Sequence, residues 1–289
     1  MTPRRVVGLI LRSLFPQLMI ERDLRKKYFE TFGRALNIRN PKLFTEKVQH
    51  RKIFDKDPRL TLCADKVLVK DYVRKRLGDD ILISTLFSGR KLPPLAQRNW
   101  DLPFVIKANH GSGLNIFVRT KADLNWPKIE KTLCDLMAFD FSVWTKELFY
   151  SRIERQLIVE PFLSDNNELP LDYKIFLFGG RPAFIQVDTD RESDHKRVFY
   201  DVEWNRMNIR YGYKLEPREI KKPVSLDRML AAASILGRDF DFVRIDFYEI
   251  SCRPYFGEMT FTPEAGLAKF DPPEIDVVLG KMWTASAST

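Results

Sequence analysis

The sequence has little cysteine or histidine and no long hydrophobic run, and each shortage argues against a class of protein. Its three cysteines, Cys63, Cys134 and Cys252, are far apart and form no Cys-x-x-Cys pair. A disulfide framework or a zinc finger would need denser, paired cysteines. Only three histidines occur, so a His-based zinc site is not expected either. The simplest interpretation is a protein of the reducing cytoplasm.

The charge of the chain is strongly positive. Its 289 residues carry a net charge of +9 and an isoelectric point near 9.4, with 44% hydrophobic and 30% charged residues. These proportions are those of a globular protein. The basic residues do not form one stripe interleaved with aromatic residues, so we expect no nucleic acid as partner. The surplus charge fits another anion, such as a nucleotide, an acidic glycan or a membrane surface.

The amino terminus is basic and apolar. Arg4 and Arg5 precede the run from Val6 to Leu11, which Arg12 interrupts, and no small-residue cleavage site follows. The run is far shorter than the roughly 20 apolar residues that span a bilayer. Two interpretations stay open: an ordinary packing helix, or a basic helix that makes peripheral contact with a membrane.

Hydrophobic periodicity predicts a mixed α+β chain built from antiparallel hairpins, without regular βαβ repeats. Strand patterns cover residues 81–87, 104–108, 114–118, 157–159, 172–177, 183–187, 242–248 and 255–259. Helix patterns cover residues 1–35, 45–57, 64–73, 126–155 and 225–236, and the tail after residue 273.

The first candidate site joins a lysine to a glycine loop. Lys107 ends an apolar strand, where an ammonium group is costly to bury without an anion, and His110, Gly111, Ser112 and Gly113 follow. Backbone N–H groups of such a loop can approach phosphates closely. The pattern is neither a Walker loop nor a dinucleotide fingerprint, and a plain hairpin turn is the alternative.

The second candidate site lies on one predicted hairpin. Arg244, Asp246 and Tyr248 share a face of its first strand, and Glu258 and Thr260 share a face of the second. Facing carboxylates repel each other unless a cation lies between them, and Mg²⁺ typically takes one or two carboxylates plus phosphate oxygens. A salt-bridge network at the surface is the alternative.

The third candidate is Glu160, which closes an apolar strand beside Pro161. A carboxylate in that position can accept a hydrogen bond from an amino group such as that of adenine. A solvated glutamate at a strand end is the alternative.

In this order along the chain, the three pieces resemble the ATP-grasp superfamily, and more narrowly the TupA-like ATP-grasp family, named for teichuronopeptide biosynthesis. The resemblance spans roughly residues 38–283. It is carried by NPKLFTEK (40–47), ADK (64–66), FVIKANHGSG (104–113), DYK (172–174), FYD (199–201), FVRID (242–246) and FGEMTFTP (256–263).

The resemblance implies an ATP-grasp fold, with two α+β lobes that clasp ATP and a small N-terminal region before them. The implied division is a basic helical segment (1–37), a pre-ATP-grasp region (38–100), a small lobe with the glycine loop (101–165), a large lobe with the metal site (166–283) and a tail (284–289).

It also implies roles for individual residues. Lys107 contacts the phosphates of ATP, and the loop of His110, Gly111, Ser112 and Gly113 closes over them. Arg244 stabilises an oxyanion. The remaining implied contacts are Glu160, Phe162 and Leu163 for adenine, Asp172 for ribose, Lys174 for the phosphates, and Asp246, Glu258 and Thr260 for Mg²⁺.

Two departures from the family pattern concern the metal and the acceptor. Thr260 stands where the superfamily often has Asn as a metal ligand, so either its hydroxyl substitutes or Asp246 and Glu258 hold the ion. Glu264 stands where small residues are expected, which suggests the acceptor side. The segment from Asp188 to Arg197 is interpreted as an acceptor loop in which Arg191 and Arg197 bind a substrate carboxylate; a solvated charged loop is the alternative.

The activity implied is ATP-dependent carboxylate–amine ligation through an acyl phosphate. Its expected substrates are an amine or amino acid and a uronic-acid-containing glycan or sugar nucleotide, as in the assembly of a bacterial capsule or another surface polysaccharide. The alternatives are a kinase of a glycan hydroxyl and a non-catalytic protein that binds polyanions. The expected location is the cytoplasm, at the inner face of the membrane if the N-terminal helix binds there.

Overall fold

The computed structural model describes residues 16–164 and 169–284. Residues 1–15 of the predicted N-terminal segment (1–37), which include its basic apolar run, lie outside the described residues, as do residues 285–289 of the tail. Among the helices that are described, none combines the length and apolar character that crossing a membrane requires.

The described residues form an α+β fold. The α-helices are α1 (Pro16–Phe32), α2 (Phe44–Phe54), α3 (Pro58–Ala64), α4 (Leu68–Leu77), α5 (Trp126–Ala138), α6 (Phe141–Thr145), α7 (Leu226–Gly237) and α8 (Glu274–Met282). Short 3-10 helices cover Leu95–Gln97, Lys121–Asp123, Leu148–Arg152 and Pro263–Gly266.

The strands fall into two main sheets and one small pair. They are β1 (Phe87–Gly89), β2 (Phe104–Ala108), β3 (Asn115–Val118), β4 (Leu157–Pro161), β5 (Asp172–Phe178), β6 (Arg181–Thr189), β7 (Lys196–Asp201), β8 (Arg206–Met207), β9 (Arg210–Tyr211), β10 (Lys214–Leu215), β11 (Phe242–Ile250), β12 (Arg253–Thr260) and β13 (Phe270–Asp271). The order is β1-β4-β2-β3 in the small-lobe sheet and β10-β7-β6-β5-β11-β12 in the large-lobe sheet, with β8 beside β7 and β13 paired to β9.

Strand alternation in the small lobe separates core side chains from cleft side chains. Phe104 and Ile106 of β2 pack into a core with Ile129 and Leu133 of α5. Because successive side chains point to opposite faces, Lys107 leaves the sheet on the other side. The apolar pattern of the strand therefore fixes the direction of its one charged residue.

The large-lobe sheet has one fully apolar face and one divided face. The apolar face packs Ile175, Ile185 and Ile245 against α7. The other face begins as a phenylalanine cluster under Phe44 of α2 and then becomes charged along the same strands, where Lys174 replaces the apolar pattern. The phenylalanines anchor one end of this face, and the charged end is left to face the small lobe.

The N-terminal helices pack on the two lobes, and α1 and α2 also share a small apolar core that includes Leu24, Tyr28 and Ile53. The Tyr72 hydroxyl of α4 donates to the carbonyl of Leu236 at 2.9 Å, and the Thr61 hydroxyl of α3 donates to the carbonyl of Phe149 at 3.0 Å. Strand β1 pairs with β4, so the small-lobe sheet draws on residues before position 101, where the sequence analysis places the start of that lobe.

Several elements differ between the sequence prediction and the structure. Residues 81–86 are not a strand, since only residues 87–89 pair with β4. The predicted helix over 64–73 is broken, because the Asp65 carboxylate accepts from the N–H groups of Val67 and Leu68 and so starts a new helix there. Strand β7 has no counterpart in the prediction, because its first residues belong to the charged segment that is interpreted there as a loop.

The turn after β12 is held in an unusual conformation by α2. Glu264, Ala265 and Gly266 have φ angles of 50°, 51° and 64°, and we call them the left-handed turn. The Gln49 side-chain amide donates to the carbonyls of Ala265 and Gly266 at 2.9 Å each, and the Lys52 ammonium also donates to Ala265. The left-handed conformation costs about 1–2 kcal/mol for each non-glycine residue, and these hydrogen bonds offset that cost.

The burial of Lys52 leads to a prediction about pH. Burial lowers the pKa of Lys52 to about 8, so from pH 8 to about 10.5 the unfolded chain binds more protons at this position than the folded chain. The contribution of Lys52 to the free energy of unfolding therefore rises with pH across that window, by up to about 3 kcal/mol. Urea unfolding of the wild type and of Lys52→Met at pH 7.5 and 10 should show this gain only in the wild type.

Lys56→Met is the matched control, because Lys56 lies exposed after the end of the same helix. Its unfolding free energy should follow the wild-type dependence on pH. A Lys52→Met variant that gains as much stability with pH as the wild type would contradict the assignment.

Candidate active site

A charged cleft of about 190 Å³ lies between the two sheets. Lys107 reaches it from the small lobe, and Asp246 and Glu258 reach it from the large lobe. The lining residues are Lys66, Val69, Lys70, Lys107, Ser112, Gly113, Asn115, Glu160, Asp172, Lys174, Arg191, Asp246, Tyr248, Phe256, Gly257 and Glu258. The structure therefore brings together side chains that are up to 192 positions apart in the chain.

On the small-lobe side, one carboxylate holds two lysines. The Lys107 ammonium donates to Glu160 at 2.7 Å, and Lys70 of α4 forms an ion pair with the other oxygen of the same carboxylate. Burial alone raises the pKa of Glu160, but Lys107 and Lys70 outweigh it and lower the pKa. Glu160 therefore stays ionised and fixes both ammonium groups at the cleft wall.

The glycine loop divides into a lining part and a buried part. Ser112 and Gly113 line the cleft, whereas the His110 imidazole lies buried, 3.1 Å from the carbonyl of Phe139. Gly111 lies on the Phe141 ring, where an added Cβ would come within 2.8 Å of a ring carbon. His110 and Gly111 therefore anchor the loop to the rest of the small lobe, and Ser112 and Gly113 face the cleft.

On the large-lobe side, Asp246 lies between two cations. Arg244 donates to its two oxygens at 2.7 Å each, and Lys174 donates to one of them at 2.8 Å. Burial opposes the charge on Lys174, but Asp172 and Asp246 outweigh that effect and raise its pKa. The three side chains come from strands β5 and β11, which pair directly so that Asp246 faces Lys174.

Glu258 lies directly opposite Asp246 in the β11–β12 register. Lys66 donates to Glu258 at 3.2 Å, and the Thr260 hydroxyl lies between Arg244 (3.0 Å) and Glu258 (3.3 Å). Burial would raise the pKa of Glu258, but Lys66 and Lys174 lower it to about 2. Glu258 is therefore an ionised carboxylate with part of its surface in the cleft.

The donor set fits an ion that is bound together with phosphate. In the part of the chain that the structure describes, no three His, Cys, Asp or Glu side chains converge as a complete metal site. The cleft offers two facing carboxylates, Asp246 and Glu258. Mg²⁺ characteristically binds one or two protein carboxylates and completes its shell with phosphate oxygens and water.

Asp172 carries an acceptor atom that no described residue satisfies. One oxygen pairs with Lys174 and with Arg191 at 3.0 Å, while the other is buried without a hydrogen-bond partner. A buried carboxylate oxygen normally accepts a hydrogen bond. The position therefore suits a ligand hydroxyl.

An apolar extension of about 110 Å³ adjoins the charged cleft. Phe162 and Leu163 line it together with Val105 and Phe117, and it shares Lys107, Asn115, Arg191 and Tyr248 with the charged part. The carboxylate of Glu160, predicted to face adenine, lines the charged part and not this extension. The reason is electrostatic, since a buried carboxylate takes the position where cations surround it.

Two of the residues predicted to lie on the acceptor side, Arg197 and Glu264, form an ion pair with each other. Arg197 belongs to strand β7 and donates to Asp188 at 2.6 Å, to Glu264 at 2.9 Å and to the carbonyl of Tyr211 at 2.8 Å. Its guanidinium is thus already engaged and does not stand open as a clamp for a substrate carboxylate. Arg191, by contrast, lines the cleft.

The cleft lining includes four polar residues that the sequence did not identify as site residues. They are Lys66, Lys70, Asn115 and Tyr248. Lys66 lies in the ADK motif, and Lys70 follows it by four residues. Two lysines at helical spacing directly after an aspartate are the sequence signal that could have identified them. Tyr248 shares a strand face with Asp246, which period-two alternation already indicated.

The model of one protein family, TupA-like ATP-grasp, matches residues 46–284 of the chain. A search of curated proteins gives no match to the sequence. The assignment of the fold is based on this family match and on the two sheets described above.

Comparison with solved structures gives similar chains at low sequence identity. D-alanine–D-alanine ligase from Bacillus anthracis complexed with ATP has a TM-score of 0.42 and 14% identity, over 69% of this chain and 53% of that one. The same ligase from Helicobacter pylori has 0.44 and 15%, over 76% and 61%. The ATP-grasp ligase PsnB, complexed with a precursor variant, Mg and ADP, has 0.42 and 13%, over 78% and 59%. The chain thus spans between about half and three fifths of these proteins.

Proposed function

This chain belongs to the TupA-like ATP-grasp family, and on that basis we propose that it is an ATP-dependent ligase that joins a carboxylate to an amine. The observation that carries the proposal is the cleft in which Lys107 and the glycine loop face Asp246 and Glu258. A lysine and backbone N–H groups suit phosphates, and the two carboxylates suit the metal that accompanies them.

In this proposal the nucleotide lies along the cleft. Lys66, Lys70, Lys107 and Ser112–Gly113 hold the phosphates, and Asp172 accepts a ribose hydroxyl with its unpartnered oxygen. Phe162 and Leu163 enclose the base in the apolar extension. Glu160 then orients Lys70 and Lys107 and does not bind adenine itself.

Asp246 and Glu258 would hold Mg²⁺, which neutralises phosphate charge when it is bound. Thr260 is already hydrogen-bonded to Arg244 and Glu258, so it contributes by positioning these two groups. This arrangement agrees with the interpretation in which the two carboxylates carry the ion.

The reaction proceeds in two steps. A substrate carboxylate is a poor electrophile, so its oxygen attacks the terminal phosphate of ATP, the bond from that phosphate to ADP breaks, and an acyl phosphate forms as ADP leaves. An amine then attacks the acyl carbon, the C–N bond forms, the amine loses a proton, and phosphate leaves. Arg244, whose guanidinium is hydrogen-bonded to Asp246, would stabilise the oxyanion of this second step.

For the substrates we propose an amine or amino acid and a uronic-acid-containing surface glycan or its precursor. The support is the family resemblance together with the net charge of +9, which favours anionic substrates. Arg191 lines the cleft and is the residue we expect to contact the substrate carboxylate. Glu264, which accepts a hydrogen bond from Arg197 at 2.9 Å, is expected to lie on the acceptor side.

The first test is binding of the nucleotide. Mg-ATP at about a hundred times its Kd should stabilise the protein by about 2.7 kcal/mol, which a thermal shift measures. The same nucleotide without Mg²⁺ should stabilise less, because the two carboxylates then repel the phosphates. No shift with Mg-ATP at millimolar concentration would count against the whole proposal.

The second test separates ligation from phosphorylation. Release of inorganic phosphate should require both a carboxylate, such as glucuronate, and an amine, such as an amino acid. A kinase would transfer phosphate to a hydroxyl and leave it on the product. Phosphate retained on a glycan without any amine would therefore favour the kinase.

A further inference from the structure

One part of the surface away from the cleft exposes large apolar side chains next to lysines. Val143 and Trp144 of α6 are 62% and 63% exposed, and Phe139 beside them is 38% exposed. A groove separates these residues from the side of α1 that carries Lys26 and Lys27. Scattered exposed apolar residues need no explanation, but a contiguous group marks an interaction site.

Helix α1 extends this surface. Leu18 and Phe29 are 57% and 59% exposed, and Arg22 and Lys26 lie between them at helical spacing. Residues 18, 22, 26 and 29 therefore fall on one exposed face of the helix. We call the two groups together the α1–α6 patch: Leu18, Arg22, Lys26, Lys27, Phe29, Phe139, Val143 and Trp144.

The patch carries surplus positive charge. Its acidic neighbours are each paired: Asp23 with Lys146, Glu30 with Lys26, and Asp140 with Arg155. Arg22 and Lys27 form no ion pair with any residue that the structure describes. The sequence that leads into α1 adds Arg4, Arg5 and Arg12 among apolar residues.

We propose that the α1–α6 patch binds the surface of an anionic lipid bilayer. Exposed Trp, Phe and Leu side chains that enter the headgroup region, with Lys and Arg at the same level, are what a peripheral membrane surface needs. This proposal does not depend on the ligase activity. It extends the expected membrane contact from the N-terminal segment to the folded protein.

A bilayer fits the patch better than a protein partner does. The cores of protein interfaces are depleted in charged residues, lysine above all. Here Lys26 and Lys27 face the aromatic residues across the groove. At a bilayer surface the same lysines face phosphate headgroups, and the apolar side chains need no matching pocket.

The patch also adjoins the glycine loop. The His110 imidazole contacts the carbonyl of Phe139, and Gly111 rests on Phe141 of α6. A protein held by the patch would therefore keep its phosphate-binding loop close to the bilayer. That position suits a substrate that is itself attached to lipid.

The test is sedimentation of the full chain with vesicles. Vesicles of phosphatidylcholine with about one third phosphatidylglycerol should bind the wild type, and vesicles of pure phosphatidylcholine should bind it at least tenfold more weakly. The double variant Val143→Ser/Trp144→Ser should lower the apparent affinity for the anionic vesicles about tenfold. Arg22→Glu/Lys27→Glu should lower it by at least the same factor, and 0.5 M salt should weaken all binding.

Matched controls use exposed residues elsewhere. Val224→Ser removes a more exposed apolar side chain, and Lys221→Glu/Lys222→Glu reverses two charges on the loop before α7. Both should bind vesicles like the wild type. All variants should keep the wild-type unfolding midpoint, which excludes loss of fold.

Three results would overturn the proposal. The first is equal binding to both kinds of vesicle. The second is that Arg4→Glu/Arg5→Glu loses vesicle binding while Val143→Ser/Trp144→Ser keeps it, which would confine the contact to the N-terminal segment. The third is no vesicle binding together with a Trp144-dependent dimer in light scattering, which would assign the patch to a second copy of the chain.

Discussion

Replacing Glu258 with glutamine is expected to lower turnover about a thousandfold and to leave the fold almost unchanged. Glu258 is one of the two carboxylates proposed to hold the metal, and glutamine keeps its shape while removing the charge. One third of its side chain is exposed, and its ion-pair partner Lys66 is also partly exposed, so little buried charge is left unpaired. The unfolding midpoint should stay within about 2 °C of the wild type.

Phosphate release at increasing Mg²⁺ concentration measures this effect. Glu219→Gln, at a highly exposed position outside the cleft, is the control and should behave as the wild type. Asp246→Asn provides a contrast, because Asp246 is buried between Arg244 and Lys174. It should lose activity to a similar extent but also lose stability, since two buried cations share its charge. Wild-type turnover in Glu258→Gln would remove Glu258 from the metal site.

Replacing Lys107 with methionine is expected to weaken ATP binding about a hundredfold and to destabilise the protein by about 3 kcal/mol. The two effects have separate causes. The loss of stability arises because only Lys70 then balances the buried Glu160. The loss of affinity arises because one of the cations proposed to contact the phosphates is removed.

The double variant Lys107→Met/Glu160→Gln separates these two effects. Removing both partners of a buried pair restores much of the stability that removing one has cost. The double variant should therefore regain stability in urea unfolding but should still bind ATP weakly in calorimetry. Restored ATP affinity would mean that Lys107 acts only as a counter-charge for Glu160 and does not contact phosphate.

Local patterns were sufficient to predict the β11–β12 hairpin that carries Asp246 and Glu258. Alternation with period two placed Arg244, Asp246 and Tyr248 on one strand face, and the β11–β12 register brings Glu258 opposite Asp246. The predicted α+β class with antiparallel hairpins is confirmed by the structure and by the family match. These features depend on neighbours in sequence or on a single hairpin.

The ion-pair partners of Glu160 and Arg197 could not be predicted in the same way. Lys70 meets Glu160 from a helix 90 positions earlier, and Arg197 meets Glu264 across 67 positions. Nothing in the sequence next to Glu160 or Arg197 indicates these partners. The roles predicted for Glu160 and Arg197 require side chains that are free to bind a ligand. In the folded protein both side chains already form ion pairs.

Helix α4 and the residues just before it belong to neither lobe, yet they touch both. Lys66 pairs with Glu258 of the large lobe, and Lys70, four residues later, pairs with Glu160 of the small lobe. In the proposed function, an arriving triphosphate would accept hydrogen bonds from both ammonium groups. Lys70 would keep its contact with Glu160, because an ammonium group has three N–H donors, whereas Lys66 would exchange Glu258 for phosphate. The carboxylate released from Lys66 is the one proposed to hold magnesium, so binding of the nucleotide and availability of the metal site would be linked through Lys66.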